Sequence, residues 1–276
     1  MAPAPAGAPG AGPQGHARPG SLARRIHRGL RRAVRGDGSG VLVHISARRF
    51  CASAAHEIRP IHSALIVGDP GDDLAFAGVE AMAVHQRFYR HGTYFGSGAG
   101  AAAAGLPADV IDWLRRTPGP SLLHFACHGK VDPRFPADAH LILAGHETLA
   151  ARTLLDTSRT AALEIFLAAC TTNVIGQDYD EAFSMATAFL AAGAGTVFGS
   201  LWPVPDAATS LLMFMVHHFL NTESCAPVDA LHRAQLWMLD PVRRPVPGMP
   251  ENLVRFCRGP DPARPVAWAG FTHLGR

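Results

Sequence analysis

Short apolar runs alternate with segments of helical period along most of the chain. VLVHI (41–45), ALIVG (64–68), SLLHFAC (121–127), ALEIFLAAC (162–170) and TVFGSLW (196–202) are apolar runs of strand length, with TYF (93–95) and LILA (141–144) as shorter ones. Nearly continuous apolar runs fit strands covered on both faces. Between them, a period near 3.6 predicts helices over 74–90, 106–116, 148–156, 180–193, 206–220 and 227–239. The first of these would turn Val79, Met82, Val84 and Phe88 inward. Gly193 suits a helix C-terminus, Asp206 an N-cap, and Pro227 a first turn. Strands alternating with helices predict an α/β domain built on a mainly parallel sheet.

Composition then divides the chain. Residues 1–20 are Pro, Gly and Ala of low complexity and predict disorder. Residues 21–35 have the pattern of a basic helix, with Leu22, Ile26, Leu30 and Val34 on one face, and GDGSG at 36–40 breaks it. This places an Arg-rich tail at 1–40 and the domain at 41–276. The start lacks the charged and apolar regions of a secretory signal, and its Pro/Gly density opposes the amphipathic helix of a transit peptide.

Charge follows the same division. The formal net charge of +3 comes from 25 basic and 22 acidic side chains. Seven Arg and no acid lie in residues 1–36, which leaves 18 basic and 22 acidic groups and a net of −4 for residues 37–276. Attraction to nucleic acid is therefore not expected of the domain. A 48% hydrophobic content excludes wholesale disorder. No apolar run reaches the 18–20 residues of a membrane helix, so no membrane partner is expected. Five widely spaced Cys (51, 127, 170, 225 and 257) without a C-x-x-C argue for reduced thiols in a cytoplasmic protein.

Candidate chemistry sits at two strand ends. LLHFACHG ends in His128-Gly129, and LEIFLAAC ends in Cys170. In a parallel sheet, reactive groups gather at the carboxyl ends of strands. A His beside a Cys can take its proton and leave a thiolate nucleophile. Backbone N–H groups after the His and at the Cys could hold the oxyanion. No third, orienting residue is evident, so a Cys–His dyad is the economical reading. From spacing alone, though, a Cys that ends an apolar strand is more often an inert small hydrophobe.

LLHFACHG, FLAACTTN and the long run 186–220 (ATAFLAAGAGTVFGSLWPVPDAATSLLMFMVHHFL) together resemble the CHAT family. These are caspase-like cysteine peptidases of the clan that includes separase. The matching features are His128-Gly129, Ala169-Cys170-Thr171-Thr172, Ala192-Gly193-Ala194 and Trp202-Pro203-Val204-Pro205-Asp206. ALIVGDP (64–70), followed by a helix bearing the acidic Glu80, ALHRAQLWM (230–238) and WAGFTHLG (268–275) extend the likeness over roughly 40–276.

The resemblance implies a caspase-like three-layer sandwich, with helices on both faces of the sheet. It implies His128 as general base, Cys170 as nucleophile, and Gly129 and Cys170 as oxyanion-hole donors. Asp206 matches the acidic position that faces a basic P1 side chain in separase-like relatives. A helix N-cap is the other reading of Asp206, and the two roles can coexist. Asp178, Asp180 and Glu181 read as a solvated loop, or alternatively as an acidic rim facing substrate. The implied activity is a cysteine endopeptidase cleaving after a basic residue, with a protein or peptide substrate and a separate sensor or activator protein as partners. A bacterial regulated-proteolysis, stress or defence role accompanies it. The alternative is a non-catalytic signalling module of the same fold, docked by a sensor. The SARRF segment (46–50) and Ala139-His140 depart from the family pattern, and the chain carries no TPR repeats.

Other chemistries fit less well, and no cofactor is expected. His124 and His128 share a strand face that Cys127 leaves, and no further ligand set at zinc spacing follows. HGK at 128–130 lacks the rest of a phosphate loop, and GAGTVFG (193–199) follows a helix instead of a strand. His217 and His218 read as surface and core-edge residues.

Overall fold

Five apolar runs form the parallel part of a six-stranded sheet. In chain order they are β1 (Ser63–Gly68), β2 (Thr93–Gly96), β3 (Ser121–Ala126), β7 (Leu163–Leu167) and β8 (Thr196–Ser200). The strand order is β2-β1-β3-β7-β8-β9, and β9 (Phe271–Gly275) closes the edge antiparallel to β8. A second, antiparallel sheet follows β3 directly: β4 (His128–Asp132), β5 (Phe135–Ile142) and β6 (Thr148–Ala150). The computed structural model describes residues 61–276, apart from 99, 118, 133–134, 158–162, 169–185, 187–188, 190–193, 201 and 276, and apart from the side chains of 131–139, 151 and 155. The Arg-rich tail, the run at 41–45 and most of the helix expected at 180–193 lie outside the described residues.

Helices cover the main sheet on both faces, which makes the molecule an α/β sandwich of the expected class. Strand alternation sends Leu65, Val67, Leu123, Phe125, Cys127, Ile165, Leu167 and Val197 to one face. There they pack with Val110 and Leu114 of α2 (Pro107–Arg116) and Leu154 of α3 (Ala151–Thr157). The opposite face packs under α1 (Ala77–Phe88) and α4 (Asp206–Thr222). Gly68 lets α1 come close: a Cβ there would stand 2.6 Å from the Ala81 Cβ. Beyond α4 come α5 (Pro227–Leu239), α6 (Glu251–Cys257) and the short α7 (Pro265–Trp268).

Parallel register lines up one residue from every strand beneath α1 and α4. Tyr94, Ile66, His124, Phe166, Phe198 and His273 are successive cross-strand neighbours. Phe166 and Phe198 stack with ring centroids 4.3 Å apart, and His217 of α4 lies 4.5 Å from Phe166. Cross-strand contact of this kind between rings stabilises both the sheet and its helix layer.

Several local expectations are corrected. Val79 is 45% exposed, while Glu80 beside it is fully buried on α1. Apolar periodicity rotates the helix wrongly here because an acid occupies an inward position. Residues 148–150 extend the second sheet before the helix begins at Ala151. The N-cap of α4 is Pro205, and Asp206 is its first helical residue. β4, β9 and the helices after residue 250 lack long apolar runs, and periodicity did not reveal them.

Candidate active site

β2 lies on one side of β1 and β3 on the other, so chain order reverses between β1 and β3. Open α/β sheets bind ligands in the crevice at the carboxyl ends of strands where this reversal occurs. His128 stands at that edge, two residues beyond the end of β3 and at the start of β4. The antiparallel sheet holds it from the far side, through the His128–Ile142 and Gly129–Leu141 pairs. Gly129 is buried beside it.

The loop leaving β1, Asp69-Pro70-Gly71-Asp72-Asp73, folds over the same crevice. The Asp69 N–H donates to the Ala126 carbonyl at 2.8 Å, joining this loop to the end of β3. The buried Asp69 carboxylate accepts the backbone N–H groups of Asp73 (3.1 Å) and Leu74 (3.2 Å). Its backbone is left-handed, with φ at 41°, a conformation that Asp tolerates better than most residues. Burial raises the Asp69 proton affinity above the ordinary carboxylate value, and the two N–H donors oppose the rise. So anchored, Asp73 places Oδ1 3.1 Å from His128 Nε2.

Asp206 approaches from α4. It does not cap its own helix. Its Oδ2 accepts the Phe76 N–H at 2.8 Å, and the Ala77 N–H also points to the carboxylate, so Asp206 caps the start of α1. Ser210 Oγ lies 3.4 Å from its other oxygen. Burial raises the Asp206 proton affinity, while these donors and the nearby His128 favour the ionised form. His128 thus has the Asp73 carboxylate at hydrogen-bond distance and feels the charge of Asp206. Upstream, the Trp202 indole donates to the Val266 carbonyl and covers Gly270, where a Cβ would collide with the ring.

Cys170 lies outside the described residues, as do Asp178, Asp180 and Glu181. Its place in the chain is nevertheless informative. Phe125 of β3 and Leu167 of β7 are registered partners in adjacent parallel strands. His128 and Cys170 each follow that pair by three residues. Cys127, next to His128, points into the core of the opposite face, where burial pushes its thiol far above the ordinary range, with the Asp69 charge adding to the effect. It is an inert core residue.

Beneath the site, polar groups link across the α1/α4 face. His124 Nε2 lies 3.1 Å from Glu80 Oε2, and His217 Nε2 lies 3.1 Å from His124 Nδ1. The Tyr89 hydroxyl lies 3.0 Å from His217 Nδ1, and Asn221 Nδ2 donates to Tyr89 at 3.0 Å. One proton per link satisfies this chain. Asn221 donates to Tyr89, Tyr89 to His217, His217 to His124, and His124 to the Glu80 carboxylate. That assignment makes both imidazoles neutral Nε2–H tautomers.

The family model for the CHAT domain matches residues 34–276, so it spans both carboxyl-end motifs and every described element. The chain belongs to the CHAT domain family. CHAT domains form a caspase-like, peptidase-related family, and the sheet order and the His128 strand end described above are consistent with that relationship. No curated protein matches this CHAT domain. Among the described residues, no helix is long and apolar enough to cross a membrane. Sequence reasoning missed Asp69, Asp73 and the burial of His217. The three Asp within residues 69–73, directly after a strand, are the signal that could have found the loop.

Proposed function

We propose that this CHAT domain is a cysteine endopeptidase in which Cys170 is the nucleophile and His128 the proton carrier. The observation that supports it best is His128 at the carboxyl end of the sheet, beside the switch point between β1 and β3, with Cys170 three positions in sequence after Leu167, the registered partner of Phe125.

His128 takes the Cys170 Sγ proton, and the thiolate attacks the peptide carbonyl carbon, forming the C–S bond. The oxyanion is held by the N–H groups of Gly129 and Cys170. The imidazolium then gives its proton to the leaving amine as the C–N bond breaks. Water, deprotonated by the same imidazole, hydrolyses the thioester and returns the thiol.

Asp206 is the S1 group in this reading, and its half-buried carboxylate would pair with an Arg or Lys side chain at P1. A separate sensor or activator protein regulates the enzyme, in the cytoplasm. Turnover of a peptide panel with basic, acidic and apolar P1 residues tests the proposal, alongside labelling of Cys170 by a peptidyl chloromethyl ketone. Cleavage and labelling lost in Cys170→Ala and His128→Ala support it. Equal turnover by wild type and Cys170→Ala would overturn it.

A further inference from the structure

We propose that Asp73 is a positioning residue for His128: its carboxylate holds the imidazole as the Nε2–H tautomer and leaves Nδ1 to exchange the proton with the nucleophile. The inference rests on the peptidase reading and adds to it a third member that spacing alone did not reveal.

The geometry carries it. Asp73 Oδ1 lies 3.1 Å from His128 Nε2, across 55 positions of sequence. Neither side depends on a long, free side chain. Asp73 is fixed at its backbone by the Asp69 carboxylate, and Asp69 is itself bonded to Ala126, two residues before His128. His128 is fixed by its pairing with Ile142. The loop after β1 and the start of β4 therefore present the carboxylate and the imidazole to each other.

Exposure decides what the contact is for. The His128 and Asp73 side chains are 21% and 49% exposed. A pair this open to water adds little to stability. Orientation is what it can supply: a carboxylate can only accept, so it selects the imidazole whose proton is on the facing nitrogen. Through the reaction the Nε2 proton stays in place. Nδ1 receives the Cys170 proton, passes it to the leaving amine and is left neutral again. An Asn at 73 can turn its NH2 toward Nε2 and draw the ring proton to Nδ1, the nitrogen that must accept.

The test compares full-length wild type, Asp73→Asn and Asp73→Glu. In Asp73→Asn, kcat/KM is expected to fall about a hundredfold or more for every P1 residue, mostly in kcat. The thermal midpoint should not move, and Asp73→Glu should recover most of the loss. The ¹⁵N chemical shifts of the His128 ring should report Nε2–H in wild type and a shift toward Nδ1–H in Asp73→Asn. Activity of Asp73→Asn within threefold of wild type, or an unchanged tautomer, overturns the proposal. A loss confined to basic P1 substrates also overturns it, by marking Asp73 as a specificity group. Absent turnover and absent Cys170 labelling in wild type would instead sink the peptidase reading. The ring shifts would then still decide whether Asp73 sets the tautomer.

Discussion

His217 Nε2 of α4 lies 3.1 Å from His124 Nδ1 of β3, and both imidazoles are fully buried. The contact fastens the helix bearing Asp206 to the strand that leads to His128. It is extended on one side to Glu80 of α1 and on the other to Tyr89 and Asn221. Polar groups in such a place are costly unless each finds its partner, and here one chain of donors satisfies the two rings. The second Glu80 oxygen has no hydrogen-bond partner among the described residues. The network therefore specifies how α1 and α4 lie on the sheet more than it adds net stability.

Removing His217 should be expensive. His217→Ala opens a cavity against Phe166, takes the acceptor from the Tyr89 hydroxyl and takes the donor from His124 Nδ1. We expect a loss of about 3 kcal/mol, read as a lower denaturant midpoint. Asn221→Ala removes only the outer donor and should cost about 1 kcal/mol.

The same histidine gives stability a pH dependence. Burial holds the His217 proton affinity well below its ordinary value of 6.5, and His124 beside it acts in the same direction. Among the described residues, Glu80, reaching His124 from α1, and Tyr89 are the other titratable groups hydrogen-bonded to the pair. Below pH 6.5 the unfolded chain binds a proton at His217 that the native chain refuses, so stability falls as pH falls. The slope is at most about 1.4 kcal/mol per pH unit for one group. Thermal melts of wild type between pH 7 and 5 should show this decline. His217→Phe removes the titrating ring and should flatten it, even though the variant is less stable throughout. An identical slope in both proteins would place the effect elsewhere.

The fold was legible where chemistry is local or repeats. Buried parallel strands announce themselves as apolar runs, and β1, β3, β7 and β8 all do. Where one group's place depends on a distant partner, the pattern misleads. Glu80 reads as an outward position until His124, 44 residues away, is known to meet it. His217 and His218 read as surface and core-edge residues until Tyr89 and His124 are placed around His217. Asp206 stands at a helix start, but the helix it caps is α1, 130 positions away. His128 was legible as the end of an apolar strand, whereas Asp73 sits in a loop whose path is set by the Asp69 side chain.

Labelling should separate the thiols by environment. Cys127 and Cys257 are buried, and burial raises the proton affinity of both thiols, whereas Cys225 is part-exposed. With iodoacetamide on the native protein, mass spectrometry should find Cys225 alkylated well before Cys127 and Cys257. Cys127→Ala removes only a small core group and should cost about 1 kcal/mol while leaving Cys170 labelling at its wild-type rate. Loss of Cys170 labelling in Cys127→Ala, with an unchanged melting temperature, would show that the core cysteine takes part in the chemistry.

Asp206 has two roles that one substitution can pull apart. Its carboxylate caps α1 through the Phe76 N–H, and as the proposed S1 group it must also carry charge. Asn keeps an oxygen that can accept the Phe76 N–H, and Asn caps helices about as well as Asp. Neutralising the position also removes the cost of burying a carboxylate, the main cause of its raised proton affinity. Asp206→Asn should therefore stay within about 1 kcal/mol of wild type in stability. Preference for Arg or Lys over an apolar P1 should collapse in the same variant, because the ion pair with a basic side chain is gone while the cap remains. Asp206→Ala should lose both the preference and about a further 1 kcal/mol. If Asp206→Asn cleaves basic substrates as selectively as wild type, the carboxylate is a cap alone, and the P1 side chain is recognised elsewhere in the crevice.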